Sequence, residues 1–196
     1  MKQFYFLKKK SLISLAVLVF VFALFSFSHN ANAAVSYQVG TFLKKTSTGT
    51  QSVGVGFRPT AIIFLNTPQT AVGTVSAGTG VSSGFDIGFA ASSSATITNK
   101  AVSIASIGGA FSTSTTYAST SVSILITSST GSGAAPGGLV LGAAAVQSFD
   151  ANGFTLNWLT ANASAYLVNF IAIGGSDITN TTSGVISLTT FTGNIN

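Results

Sequence analysis

Side chains that could perform catalysis are scarce in this chain. It has no Cys and no Glu, its single histidine is His29, and its carboxylates are Asp86, Asp150 and Asp177. General acid–base, nucleophilic and transition-metal chemistry draw mainly on His, Cys, Glu, Asp and Lys. We therefore predict a protein that is not an enzyme, with no catalytic residues, no cofactor and no bound metal.

Two alternatives involve the aspartates. A glycosidase needs two carboxyl groups at a set separation, and Asp86 with Asp150 is the only plausible pair. Residues 150–153 (DANG) also resemble part of a calcium loop, in which Asp and Asn oxygens precede a glycine. The Asn152-Gly153 dipeptide, however, lies between two apolar segments and is typical of a hairpin, because glycine accepts positive φ. We favour the plain turn.

The first 33 residues have the order of a Sec-type signal peptide. Four lysines precede an apolar run at 12–27, and a small-residue site, Ala31-Asn32-Ala33, follows it. Basic, apolar and A-x-A segments in this order predict export and cleavage after Ala33. The alternative is a retained membrane anchor, since the run is near the lower limit for spanning a bilayer. We expect a secreted or cell-surface protein that meets the membrane only through its signal helix before cleavage.

Removal of residues 1–33 changes the charge of the chain. Lys44, Lys45, Lys100 and Arg58 then stand against three aspartates, which gives a formal net charge of 4 − 3 = +1. A nucleic-acid binder needs a basic face to neutralise phosphates, so no nucleic-acid partner is expected. A net charge near zero also gives little repulsion between copies and favours association.

The remainder, residues 34–196, is predicted to be one all-β domain. Apolar residues alternate with polar ones in many short segments, for example at 85–89, 122–126 and 154–158. This period of two, with clusters of Gly, Ser and Thr between segments, indicates half-buried strands joined by turns. Residues 61–65 (AIIFL) form a continuous apolar run, as in a strand covered on both faces. A two-sheet β-sandwich or jelly-roll-like fold is expected after the signal helix.

Polar segments between the predicted strands are the candidate binding loops. We expect contacts at 74–84, 112–116 and 128–138, because binding residues concentrate on loops held by a rigid scaffold. The composition of 128–138 would also suit a linker between domains, but neither flank offers enough strands for a closed core. Tyr117, in a Ser/Thr-rich segment, and Arg58, before Pro59, are the possible surface-binding residues.

Several segments resemble a known group of proteins. They are YQVGT (37–41), GFRPTAIIFL (56–65), FDIGFA (85–90), FDANGFTLNW (149–158) and VNFIAIGG (168–175). Their order is similar to that in a loosely defined group of small β-domains of phage tail and virion proteins and of secreted bacterial surface proteins. The resemblance implies a β-sandwich with a structural or attachment role and carries over no catalytic residue. The secretion signal favours an exported protein of the host over a part of a phage particle.

The function expected from the sequence is therefore the presentation of a surface. One possibility is a structural or adhesive protein that associates with itself through uncharged strand edges, which template pairing with another chain. The alternative is a lectin-like, carbohydrate-binding module that contacts a cell-surface glycan or receptor, for which exposed aromatic side chains would be needed.

Overall fold

The structure, a computed structural model, describes residues 34–75, 82–93, 96–108, 113–129, 138–176, 178 and 181. The predicted signal peptide and most of the candidate loops at 74–84 and 128–138 lie outside these residues. Ten strands and no helix occur in this part of the chain. They are β1 (Ser36–Leu43), β2 (Gly49–Gly54), β3 (Pro59–Asn66), β4 (Ser82–Ser93), β5 (Thr96–Ile107), β6 (Thr113–Ser119), β7 (Ile124–Ser129), β8 (Gly138–Asp150), β9 (Gly153–Ala161) and β10 (Leu167–Gly174).

The strands form two antiparallel sheets. The six-stranded sheet has the order β1-β10-β3-β4-β5-β6, and the four-stranded sheet has the order β2-β9-β8-β7. The predicted all-β class with two sheets is confirmed. The two sheets contact each other mainly where β7 packs on β4 and β5, which gives the molecule the character of a β-sandwich.

The core between the sheets is aromatic at one end. Phe154 of β9 packs edge-on against Phe64 and Phe170 of the other sheet, with ring centroids 5.8 and 5.5 Å apart. Phe42 joins the same group from β1. Trp158 is fully buried, and its indole nitrogen donates a 2.7 Å hydrogen bond to Gln51 Oε1.

At the other end the sheets approach so closely that only small side chains fit. A Cβ atom on Gly88 of β4 would lie 1.7 Å from the backbone oxygen of Ser123. The neighbouring β5 therefore turns Ala101, Ser103 and Ala105, all buried, toward β7. This contact decides which way the alternating residues of β4 and β5 face, since successive side chains of a strand point to opposite sides.

Three expectations about local structure are corrected. The segment 112–116 and Tyr117 were predicted to be loop, but 113–119 is the edge strand β6. Thr, Ser and Tyr are all tolerated in a strand whose outer edge needs no partner. Strand β3 is covered on one face: Ile62 and Phe64 are buried, and Ile63 is partly exposed.

Two residue types explain where β3 begins and how β10 ends. Pro59 is the first residue of β3, where its missing N–H costs no ladder hydrogen bond. A register shift lies between Ile173 and Gly174 where β10 meets β3, and Gly175 follows with φ 125°. The two glycines therefore form a bulge and a turn at the end of β10.

Candidate functional site

The most unusual surface is the outer face of the six-stranded sheet, the side turned away from the four-stranded sheet. The strand registers align its side chains in continuous rows. One row is Val39–Ile171–Ile63–Phe89–Lys100, the next is Thr41–Asn169–Leu65–Ile87–Val102–Ala118, and a shorter one is Phe85–Ile104–Thr116. The first two rows cross five and six strands and are mostly aliphatic or aromatic.

Large apolar side chains on this face are open to solvent. Val39 is 67% exposed, Ile104 57% and Val102 49%, and Phe85 is exposed to a similar extent. Scattered apolar residues on a surface are ordinary, but a contiguous patch rimmed by polar residues marks an interaction site.

The rim of the outer face is polar and already hydrogen-bonded. Thr41 Oγ1 donates to Asn169 Oδ1 at 2.7 Å on one side of the face. The hydroxyls of Ser83 and Ser106 lie 3.1 Å apart on the other. An apolar centre with a polar rim is the usual anatomy of a protein–protein interface, and these rim pairs need no partner to satisfy them.

A pocket of about 430 Å³ opens beside the centre of this face. It is lined by Phe89, Lys100, Ala101, Val102, Ala118, Ser119 and Thr120. It therefore combines an aromatic ring and an ammonium group with two hydroxyls at the end of β6. Such a concavity could accept a protruding side chain or a small polar ligand.

The two surface residues predicted from the sequence lie elsewhere and apart. Tyr117 pairs with Ser103, so it shares the inner side of the sheet, and it is 50% exposed because β6 is the edge strand. Arg58 is exposed in the connection just before β3. Strands β4 and β5 separate the two positions, so no joint site forms.

Asp86 lies in a buried polar cluster between the sheets. Its Oδ2 atom accepts a 2.8 Å hydrogen bond from Asn66 Nδ2, whereas Oδ1 has no well-formed hydrogen bond. The hydroxyls of Ser103 and Thr127 contact each other beside it. Burial raises the pKa of Asp86 from 3.8 to about 7, and the Ser103 hydroxyl, the Asn66 amide and the Thr127 backbone oppose this rise. The cluster joins β3, β4, β5 and β7 and is closed to substrate, since Asp86 is 2% exposed.

The carboxylate pair considered for a glycosidase does not come together. Asp86 contacts Thr127, which pairs with Val140 near the start of β8, and Asp150 is the last residue of β8. Ten residues of extended strand span roughly 30 Å. A glycosidase holds its two carboxyl groups within about 10 Å of each other, so the strand spacing separates this pair.

The segment at 150–153 is a hairpin turn, as favoured. Asp150 pairs with Gly153 across a two-residue loop, and its carboxylate accepts hydrogen bonds from the hydroxyls of Ser148 (2.8 Å) and Thr155 (2.7 Å). The expected reason for the glycine is wrong, because Gly153 does not have a positive φ. A Cβ there would lie 2.1 Å from the Val53 oxygen, so close backbone approach requires the glycine.

Lys44 is the second buried ionisable residue. Its ammonium donates to the backbone oxygens of Lys45 (2.7 Å) and Asn162 (3.1 Å) and lies 5.6 Å from the centre of the Trp158 ring. Burial lowers its pKa. The cation therefore ties the end of β1 to the segment after β9, which is a structural role.

The described residues contain no cluster of three or more Asp, Glu, His or Cys side chains that could hold a metal ion. Within the same residues, no helix has the length and apolarity needed to cross a membrane. Comparison with protein-family models, with curated proteins and with solved structures found no match to this chain.

Proposed function

We propose that this chain is a secreted, non-catalytic structural or adhesive protein of the cell surface or extracellular space. In this proposal residues 1–33 are a Sec signal peptide, and residues 34–196 are a jelly-roll-like sandwich domain that acts by presenting a surface. The observation that carries the proposal is the apolar outer face of the six-stranded sheet. A large exposed apolar face lowers the solubility of a domain whose net charge is near +1. We therefore expect the face to bind a partner that covers it.

The ionisable groups support the same proposal. The carboxylate of Asp86 and the ammonium of Lys44 are both buried, and each has protein hydrogen-bond partners. Both lie inside the fold and away from the outer face. The resemblance to small β-domains of phage tails and secreted surface proteins, carried by the segments at 37–41, 56–65 and 149–158, favours attachment or assembly over catalysis.

A carbohydrate-binding, lectin-like function is the second candidate. The pocket beside Phe89 favours it, because an aromatic ring next to hydroxyl groups and an ammonium can stack on a sugar ring and bind its hydroxyls. Under this alternative, F89A would abolish binding to a glycan array. Replacing Tyr117, which faces the other side of the sheet, would leave binding unchanged.

The test of the main proposal uses the chain collected after export. We expect no turnover on panels of glycoside, ester and peptide substrates, together with either concentration-dependent assembly or binding to whole cells. Turnover that disappears in D86N or D150N would contradict the proposal. A strictly monomeric protein that binds neither cells nor glycans would contradict it as well.

A further inference from the structure

We propose that the outer face of the six-stranded sheet docks against the same face of a second copy of this chain. The inference rests on the proposed function and names the partner of that surface. The interface would be isologous, with each residue of the face meeting the equivalent surface of the partner around a two-fold axis.

The residue pattern of the central strands is the first argument. In β3 and β10 the residues of both faces are apolar, as in AIIFL at 61–65 and FIAI at 170–173. Strands with continuous apolar runs are normally covered on both sides. The described part of one copy covers only the side that carries Phe64 and Phe170. The other side, with Ile63 and Ile171, is as apolar as a protein core, but no described element of the same copy packs on it.

The orientation of β4 and β5 is the second argument. Phe85, Ile87 and Phe89 of β4 and Val102 and Ile104 of β5 lie on the outer face, and small or polar residues face β7. Ile97, near the start of β5, packs on the core instead. Exposed β-strands of soluble proteins normally carry polar residues outward. The reversed pattern extends the apolar surface of β3 and β10 across two more strands.

The size of the face is sufficient for a stable dimer. Six strands about 4.8 Å apart, with about six residues each at roughly 3.3 Å per residue, cover about 600 Å² per copy. Two such faces bury about 1,100 Å², which lies at the lower end of the range of specific protein–protein interfaces. Two sheets of the same twist can also stack with interdigitated side chains, as the two layers of a sandwich do.

Charge favours a second copy over a partner of another kind. Lys100 is the one charged residue that the described strands place on the outer face. A receptor that binds by charge, an anionic lipid surface or a nucleic acid would require several basic groups there. An identical apolar face has no charge to satisfy, and the alkyl stem of Lys100 can lie on it while the ammonium stays in water.

The experiment compares two triple variants of the exported chain by sedimentation equilibrium. V39T/V102T/I104T replaces three exposed residues of the outer face with residues that keep strand propensity and remove methyl groups. We expect the wild-type protein to dimerise. We expect this variant to raise the dissociation constant by at least about 100-fold, because each change occurs twice in the interface.

The matched control is V72T/V75T/L159T, which replaces three exposed apolar residues outside the strands of the six-stranded sheet, two in the connection after β3 and one in β9. We expect it to dimerise like the wild type. Thermal melts of both variants establish that they fold. The inference is overturned if the wild-type chain is monomeric up to high concentration, or if both triple variants change the dissociation constant equally.

Cross-linking locates the contact, since the chain has no natural cysteine. A cysteine introduced by I87C, at the centre of the face, should join two copies through a short bis-maleimide, because packed sheets lie about 10 Å apart. A cysteine introduced by V72C should not. Efficient dimer formation by V72C alone would place the interface elsewhere and overturn the inference.

The outcomes for this inference and for the proposed function are separable. A monomer that binds cells would overturn the dimer and leave the adhesive function standing. A dimer sensitive to V39T/V102T/I104T that also turns over a substrate would support the interface and overturn the non-catalytic function.

Discussion

Replacing Asp86 by asparagine should abolish a stability loss that the wild-type protein undergoes between acid and neutral pH. Burial raises the pKa of Asp86 in the folded protein from 3.8 to about 7. Between these values the folded state binds more protons than the unfolded state, so the free energy of unfolding falls as pH rises. This pKa difference between the folded and unfolded states corresponds to roughly 4 kcal/mol in the free energy of unfolding. That contribution is fully present below pH 4 and fully lost above pH 7.

The D86N side chain has nearly the same shape and is never charged. Its amide oxygen can keep the hydrogen bond from Asn66 Nδ2, which is 2.8 Å long in the wild type. Its NH₂ group can donate to the Ser103 hydroxyl, which contacts Asp86 in the wild type. We therefore expect D86N to match the wild type at pH 4 within about 1 kcal/mol and to exceed it by about 2–4 kcal/mol at pH 8.

The assay is urea unfolding at several pH values, followed by fluorescence of the single tryptophan, Trp158, which is buried. The quantity of interest is the difference between wild type and D86N, because the contributions of the other aspartates cancel in it. D150N serves as the control and should retain the pH slope of the wild type. A difference that does not change from pH 4 to pH 8 would refute the reasoning.

Three further predictions concern packing, cations and export. G88A should lower the free energy of unfolding by about 3 kcal/mol or more, because its Cβ would lie 1.7 Å from the Ser123 oxygen. The control in thermal melts is G108A, whose Cβ would lie in open space. Melting curves with EDTA and with calcium should coincide, and D150A should lower stability by about 1–3 kcal/mol equally in both, through loss of two hydroxyl hydrogen bonds. A calcium-dependent shift that D150A removes would reveal a cation site. N-terminal sequencing of exported protein should begin at Ala34, and a protein that keeps Met1 and sediments with membranes would contradict cleavage.

Much of the strand content could be predicted from local pattern. The alternation of Phe154, Leu156 and Trp158 indicated a strand with one buried face, and all three side chains are buried. The Asn152-Gly153 dipeptide indicated a hairpin turn, and Asp150 pairs with Gly153 across a two-residue loop. These features depend on neighbouring residues only, so the sequence contains the necessary information.

The candidate site was harder to predict. Tyr117 and Arg58 were chosen because aromatic and cationic side chains in loops often bind ligands, but they lie on separate parts of the fold. The outer face was missed, although AIIFL at 61–65 carried the signal: a strand that is apolar on both sides needs two covering layers. The described part of one copy covers only the side of β3 with Ile62 and Phe64, and Ile63 on the other side stays partly exposed.

Composition and period-two alternation are local properties, and they were sufficient to predict strands, the near-zero net charge of residues 34–196 and the scarcity of catalytic side chains. Which side of each strand faces the core depends on contacts between strands that are distant in sequence. An alternating pattern is the same in either orientation, and the close approach of Ser123, the residue before β7, to Gly88 places Phe85, Val102 and Ile104 on the outer face. The burial of Asp86, and with it the rise of its pKa, depends on the same contact between strands that are distant in sequence.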